Sequence, residues 1–321
     1  MVPCSALGPQ PVIKHTITMT EEVYHIPALL PQTLEALDIR PGGVYVDATF
    51  GGGGHSHAIV ERLSPEGHLY SFDQDDEAVE RAFTDPRFTI VYSNFRFLRN
   101  FMRYYGVPAV DGILADLGVS FHHFDDSSRG FSFRFDADLD MRMNRRATRT
   151  AAWILANYPA ERLAEIFTLY GELKTGRRLA NAIVARRDQG RPVATVGDLT
   201  EVAAPFISPR KEKKELAMVF QALRIEVNHE MDALASFLRQ AMELLRPGGR
   251  LAVITYHSLE DRLVKNFMRS GNIEGRVEKD FFGAATAPIR PLSGKPIVPD
   301  DEEIERNPRS RSAKLRVAVK L

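Results

Sequence analysis

The chain has 321 residues, and its 42 Lys and Arg are balanced by 42 Asp and Glu, so the formal net charge is zero. That balance excludes a global field that would draw the protein onto nucleic acid or anionic lipid, and leaves any nucleic-acid contact to local patches. One cysteine, Cys4, excludes a disulfide framework and a cysteine metal cluster. No apolar run approaches the roughly 18 residues of a membrane span, and the N-terminus lacks a charged-then-apolar signal pattern. The expectation is a cytoplasmic protein with no membrane partner, whose residues 1–22 form a disordered N-terminal segment.

Leu29, Leu30, Leu34 and Leu37 recur at helical spacing, and Pro41-Gly42-Gly43 ends that element. A strand over Val44–Phe50 follows, then four consecutive glycines, Gly51 to Gly54, and a helix from Ser56 to Leu63. His68–Asp73 reads as a second strand, Asp76–Phe83 as a short helix, Phe88–Tyr92 as a third strand, Leu98–Tyr105 as a helix and Val110–Asp116 as a fourth strand. Strands alternating with helices argue for a parallel sheet. Beyond Asp116 the alternation stops. Residues 117–140 are loop-like, and from about 141 to 215 the pattern is only helical. Leu163, Ile166, Phe167 and Tyr170 make one apolar stripe, and Leu199, Val202, Ala203 and Phe206 another. Thr195 and Asp198 have capping-box spacing. Helices over Glu215–Val227 and His229–Leu245, a fifth strand over Arg250–Tyr256 and a helix over Leu259–Arg269 come next. Residues 271–308 read as loop, and Lys314–Leu321 alternates polar with apolar as a last strand.

In an open α/β sheet, ligands sit beyond the carboxyl ends of the strands, where the strand order reverses. The residues that close strands here are Asp47, Asp73, Phe95 and Asp116. Asp73 lies about 20 residues past Gly53, the distance at which a carboxylate receives the ribose hydroxyls of a nucleoside. A nicotinamide dinucleotide would favour G-x-G-x-x-G, but the sixth position is Ser56 counted from Gly51 and His57 counted from Gly52. An acid before Gly-x-Gly, a second acid closing the next strand and the late Leu245-x-Pro-Gly-Gly-Arg-Leu251 lead point to S-adenosylmethionine instead. His55 and His57 have no spaced acid or cysteine near them, and no metal is expected.

Several segments together carry a resemblance to a known family. They include Asp47–Ser56, Phe72-Asp73, Asn94-Phe95, Asp111–Ser120, Arg129–Phe133, Leu139–Met143, Phe220–Asn228, His257–Arg262 and Asn307–Arg316. The chain resembles the small-subunit (16S) ribosomal RNA methyltransferases that modify the exocyclic N4 amine of a cytidine, from about residue 25 to its end. The resemblance implies a Rossmann-like methyltransferase fold, mostly parallel with helices on both faces, formed by residues 23–140 and 216–321. Residues 141–215 would be an inserted all-helical substrate-binding domain. It implies S-adenosylmethionine as cofactor, contacted by Gly53, Gly54, His55, Asp73, Phe95, Asp116 and His123. His123 stands where the family has a glutamine, and imidazole cannot both donate and accept as an amide does.

Asp116, with a carbonyl near Leu117, is the candidate acceptor for the amine N–H groups, beside a reading of Asp116 as a cofactor contact alone. His257 is a second catalytic candidate, to be weighed against a role at a helix start. Arg224 and Asn228 share a helical face, and Arg309, Arg311, Lys314 and Arg316 form the best RNA-binding cluster; Arg142, Arg145, Arg146 and Arg149, and Arg186, Arg187 and Arg191 are two others. The partner implied is 16S ribosomal RNA within the small subunit, with the oligomeric state open between monomer and homodimer. The alternatives are a DNA amino-methyltransferase and a non-catalytic ribosome-assembly factor that binds the cofactor.

Overall fold

The computed structural model describes residues 27–118, 128–283 and 286–321, so the expected disordered segment 1–22 lies outside the described residues. Seven strands form one sheet: β1 (Val44–Asp47), β2 (His68–Asp73), β3 (Phe88–Tyr92), β4 (Val110–Asp116), β5 (Leu245–Thr255), β6 (Ile289–Pro291) and β7 (Lys314–Lys320). Their order is β3-β2-β1-β4-β5-β7-β6. Strands β1 to β5 are parallel, whereas β7 runs against both of its neighbours. The order therefore reverses between β1 and β4, where a crevice opens at the carboxyl ends of the strands.

Alternation along each strand sorts its side chains between two layers. Val46, Phe72, Ile113 and Val253 pack on one side against helices α4 (Leu98–Tyr104), α10 (Glu230–Leu244) and α11 (Ser258–Ser270), through Leu98, Phe237 and Phe267. Tyr45, Leu69, Leu114 and Ile254 pack on the other against α1 (Leu30–Leu37) and α2 (Gly54–Val60), through Leu34, Leu37 and Ile59. Each such side chain removed from water contributes about 1.5–3 kcal/mol. Helix α3 (Asp76–Glu80) links β2 to β3 and is N-capped by Asp75, whose carboxylate accepts the Glu77 amide.

The chain leaves the sheet after β4 for a helical unit of α5 (Ala151–Asn157), α6 (Ala160–Leu169), α7 (Gly176–Asp188) and α8 (Val196–Ala203). The capping box of Thr195 and Asp198 opens α8 as its spacing predicts. The core of this unit also takes in Phe131, Leu139 and Met141 before it, and Val219, Phe220 and Leu223 of α9 (Glu212–Asn228) after it. The packed unit is thus wider than residues 141–215, because α9 serves both the helical core and the return to the sheet.

Three expected elements differ in detail. Strand β1 stops at Asp47 rather than Phe50, since the Asp47 carboxylate accepts the Thr49 amide at 3.1 Å and bends the chain. Strand β5 begins at Leu245, which pairs with Val110 before a register shift restores pairing from Arg250. The span 271–308, expected as loop, contains β6 and helix α12 (Asp301–Arg306). A three-residue edge strand shows no periodicity. Helix α12 has one apolar residue, Ile304, so it presents no stripe to a sequence reading. What holds α12 is distant in the chain: buried Glu303 accepts the Leu29 amide at 2.6 Å.

The helical unit is fastened over the crevice by Arg129. Its guanidinium donates to Asp75 Oδ2 at 3.2 Å and to the carbonyls of Arg142 and Met143 at 2.6 and 3.2 Å. Its side chain is 4% exposed and that of Asp75 3%. Asn228 adds a second fastening, accepting the Met143 amide and donating to the Met141 carbonyl, both at 2.8 Å. Replacing Arg129 with Ala leaves a buried carboxylate without its guanidinium, and the expected cost is about 3–5 kcal/mol. Urea unfolding should show the midpoint fall with little change in slope; an unchanged midpoint would contradict the role given to this pair.

Candidate active site

A cavity of about 720 Å³ opens above the point where the strand order reverses. Its floor and near wall are the turn after β1, the ends of β2 and β4, and the Ser93–Phe95 segment after β3. Its far wall comes from the helical side, with Phe131, Phe133 and Met143, and Ala217, Phe220, Gln221 and Arg224 of α9. The turn of Pro308 to Ser312 closes part of the rim.

The glycine turn is shaped by two left-handed residues, Gly51 at φ +54° and Gly53 at φ +78°. The structure separates the roles of the four glycines. Gly51, Gly52 and Gly54 line the cavity; Gly53 does not, and a Cβ there would lie 2.8 Å from the Phe50 ring. Gly53 instead supplies the N-cap conformation of α2. A Cβ on Gly51 or Gly52 would meet nothing within 4 Å, so it would project into open space at the cavity wall. That empty strip of backbone is the cradle in which a nucleoside-bearing ligand could lie against the chain.

Asp47, buried and absent from the cavity lining, is an internal brace. It accepts the Ser56 hydroxyl at 2.7 Å and the Thr49 amide, tying β1 to the start of α2. Burial pushes its carboxyl up to about 7 against those hydrogen bonds. Asp73 lines the cavity, accepts the Gly51 amide at 2.8 Å through Oδ2 and the Asp75 amide at 2.9 Å through Oδ1. A carboxylate accepts hydroxyl donors as it accepts amides, which is the chemistry a ribose needs. Phe95 lines the same wall and meets Phe237 edge-on, with ring centroids 5.4 Å apart. His55 lines the cavity while only 5% exposed, and burial lowers its pKa to about 4 against a hydrogen bond to the Ala28 backbone, so its ring is neutral at pH 7.

Asp116 stands at the end of β4 with its side chain 21% exposed, opening into the cavity. Its amide donates to Thr49 Oγ1 at 2.7 Å, fixing the glycine turn to β4. The Tyr256 hydroxyl donates to its Oδ1 at 2.9 Å, and His55 Nδ1 lies 3.7 Å from its Oδ2. Burial pushes the Asp116 carboxyl up to about 7; the Tyr256 hydrogen bond opposes this, while the charges of Asp47 and Glu260 add to it. Tyr256 is a cavity residue that sequence reasoning missed. Its only signal is its place directly after β5, since a tyrosine there reads equally well as core.

The remaining sequence-predicted residues divide sharply. Arg224 lines the cavity, but its guanidinium is held by both oxygens of Glu230 at 2.9 and 3.0 Å. Asn228 is taken up by the backbone of residues 141 and 143 and borders only a small adjoining hollow, with Glu230 and Glu260. His257, expected beside the substrate, is absent from the cavity lining and instead caps α11: it forms a reciprocal box with Glu260, its Nε2 3.0 Å from Glu260 Oε1. Burial raises the Glu260 carboxyl, but His257, Arg224 and the Tyr256 amide outweigh it and hold the group below the usual carboxylate range. Arg316, 10% exposed, is bound by Asp261 at 2.6 Å, and Lys314 reaches the same carboxylate at 3.6 Å. These two cations join β7 to α11 through that shared carboxylate. Arg309 and Arg311 line the cavity and are exposed. His123 lies outside the described residues.

The profile of the MraW methylase family matches residues 22–321. A protein from Parabacteroides distasonis named ribosomal RNA small subunit methyltransferase H is 63% identical over 302 residues, covering 94% of this chain and 99% of the relative. Proteins of the same name are similar in Phocaeicola vulgatus, at 60% over 300 residues covering 94% and 98%, and in Flavobacterium johnsoniae, at 52% over 305 residues covering 95% and 100%.

The open strip at Gly52 yields a direct test. Gly52→Val puts a branched side chain at the cavity wall, where its Cβ meets nothing within 4 Å. Calorimetry with S-adenosylmethionine should show affinity falling at least tenfold while the thermal midpoint stays close to wild type. Full affinity in a folded variant would place the donor elsewhere.

Proposed function

The chain belongs to the MraW methylase family, and on that premise we propose that it transfers a methyl group from S-adenosylmethionine to the exocyclic N4 amine of a cytidine in small-subunit ribosomal RNA. The observation that carries the reading is a strand-end carboxylate, Asp116, opening into the same cavity as the glycine cradle and Asp73. The names of the relatives support the RNA of the small ribosomal subunit as substrate. The absence of a phosphate-binding glycine pattern favours a donor without a pyrophosphate over a dinucleotide.

The residues fit that donor. The bare backbone of Gly51 and Gly52 admits its amino-acid part, Asp73 receives the ribose hydroxyls and Phe95 covers the adenine ring. His55, neutral and buried, lines the same end without adding a charge that would repel a cation. When bound, the donor supplies a methyl group on a positively charged sulfur, and the protein supplies alignment and electrostatics.

A cytosine amine is a poor nucleophile because its lone pair is delocalised into the ring. Asp116 in its ionised form accepts one amine N–H, and a carbonyl near Leu117 accepts the other, which returns electron density to nitrogen and fixes its orientation. As the N–C bond forms, the bond from the methyl carbon to sulfur breaks and leaves its electron pair on sulfur; the nitrogen becomes cationic and loses a proton. Asp116, held near neutrality, is matched to take that proton and release it to water. Tyr256 holds the carboxylate in place through Oδ1.

The sign of the pH dependence follows. The competent form is ionised, so kcat should rise through about pH 7 and level off above it. Asp116→Asn removes the proton acceptor while keeping an oxygen for Tyr256; kcat should fall roughly 10²–10⁴-fold, with the pH rise lost and donor affinity within a few-fold of wild type. Methyl incorporation into small subunits purified from a strain lacking the protein checks this. A variant with normal kcat would remove Asp116 from the chemistry, and methylation of DNA in preference to those subunits would replace the substrate.

A further inference from the structure

The cations around the helical unit fall into two groups. Arg142, Arg145 and Arg186 are ion-paired with Asp140, Glu77 and Asp198, so their charge is already matched. Arg134, Lys213 and Arg311 are exposed and form no ion pair among the described residues. These three come from separate parts of the chain yet surround one opening. Arg134 and Arg311 line the cavity itself, the first beside Phe133 and the second in the turn of Pro308 to Ser312. Lys213 stands on the first turn of α9, four residues before Ala217. Ala217, Gln221 and Arg224 line the cavity from that helix, and their spacing puts Lys213 on the same face, one turn further out at the rim. Glu215, the nearest acid after Lys213 in sequence, accepts the Ser208 amide at 2.8 Å.

The chemistry at the cavity floor sets what the rim must hold. An amine buried in a stacked base cannot reach Asp116, so the nucleotide has to be extruded from its neighbours. Its base then fills the cavity, while the phosphodiesters on either side stay at the mouth. Those phosphates carry full negative charge, and guanidinium and ammonium groups are their ordinary partners. We propose that Arg134, Lys213 and Arg311 form a phosphate clamp that grips the RNA backbone on both sides of the extruded nucleotide. The proposal rests on the RNA-methylating reading above. It separates the cations that meet RNA from those that hold the protein together.

The test uses the full chain with Arg134→Gln, Lys213→Gln and Arg311→Gln combined, and small ribosomal subunits from a strain lacking the protein. KM for subunits should rise roughly tenfold or more, with the loss in KM rather than kcat. The slope of log affinity against log salt should become shallower by about 2, as expected for three lost contacts to single-stranded phosphates. Affinity for S-adenosylmethionine and the thermal midpoint should match wild type, which shows that the cavity floor is intact. Arg311→Lys, which keeps the charge, should retain the wild-type salt slope. A folded triple variant with wild-type KM and salt slope would overturn the clamp while leaving the methylation reading in place. Wild-type protein that methylates no cytidine in those subunits would overturn that reading and the clamp together.

Discussion

The buried ion pair between Arg129 and Asp75 is the constraint on which the site depends. Asp75 caps α3 just beyond the end of β2, and Arg129 belongs to the segment that leaves the sheet after β4. Together with two backbone carbonyls, they set the height of the helical unit above the strand ends. The cavity is the space that remains. Its floor would exist without the pair, because parallel strands and the reversal of strand order create a crevice by themselves. Part of its far wall would not, since Phe131 and Met143 reach it through the fastened segment, against which α9 packs. A charge pair taken fully out of water is costly to form and more costly to break, so it acts as a register pin more than as a source of net stability.

A second constraint is electrostatic. Three acids meet near the end of β4, where the charges of Asp47 and Glu260 both act on Asp116. Each is resolved differently. Asp47 is enclosed by the Ser56 hydroxyl and the Thr49 amide and serves the turn. Glu260 has His257, Arg224 and a backbone amide around it and is held ionised. Asp116 has one hydroxyl partner and one face open to the cavity, and is left near neutrality. The acid with the fewest internal partners is the one that opens into the cavity, the arrangement expected of the proton-exchanging role proposed for it.

Much of the fold was legible in the sequence because local signals agreed with one another. Apolar runs, β-branched in the first and fourth strands and aromatic in the second, closed in Asp47, Asp116 and Asp73 and marked those strands, and strict alternation marked β7. The elements that escaped were β6 and α12, which lack an apolar stripe and are held by contacts from far along the chain, such as that of Glu303 with Leu29. The site was legible where geometry follows from a strand end, as at Asp73, Phe95 and Asp116. It was not legible where a residue's role depends on which partner it meets. Asn228, His257 and Arg316 carry the right chemical groups for substrate contact, but each finds an internal partner first. Arg134 carried no signal and Tyr256 only its place after β5, since neither spacing nor composition shows that they face the same opening.

The sequence by itself determined the open α/β sheet, the helical interruption and a glycine turn at a strand end, where a nucleoside-bearing ligand is expected. Those follow from periodicity, turn chemistry and the distance between a turn and an acid, all of which are local along the chain. Only the tertiary structure decided which of the glycines bare their backbone to the cavity, which cations remain unmatched, and that Asp116 is the open member of a group of acids. These are outcomes of pairing between segments up to hundreds of residues apart, and pairing in three dimensions is not encoded in any one stretch.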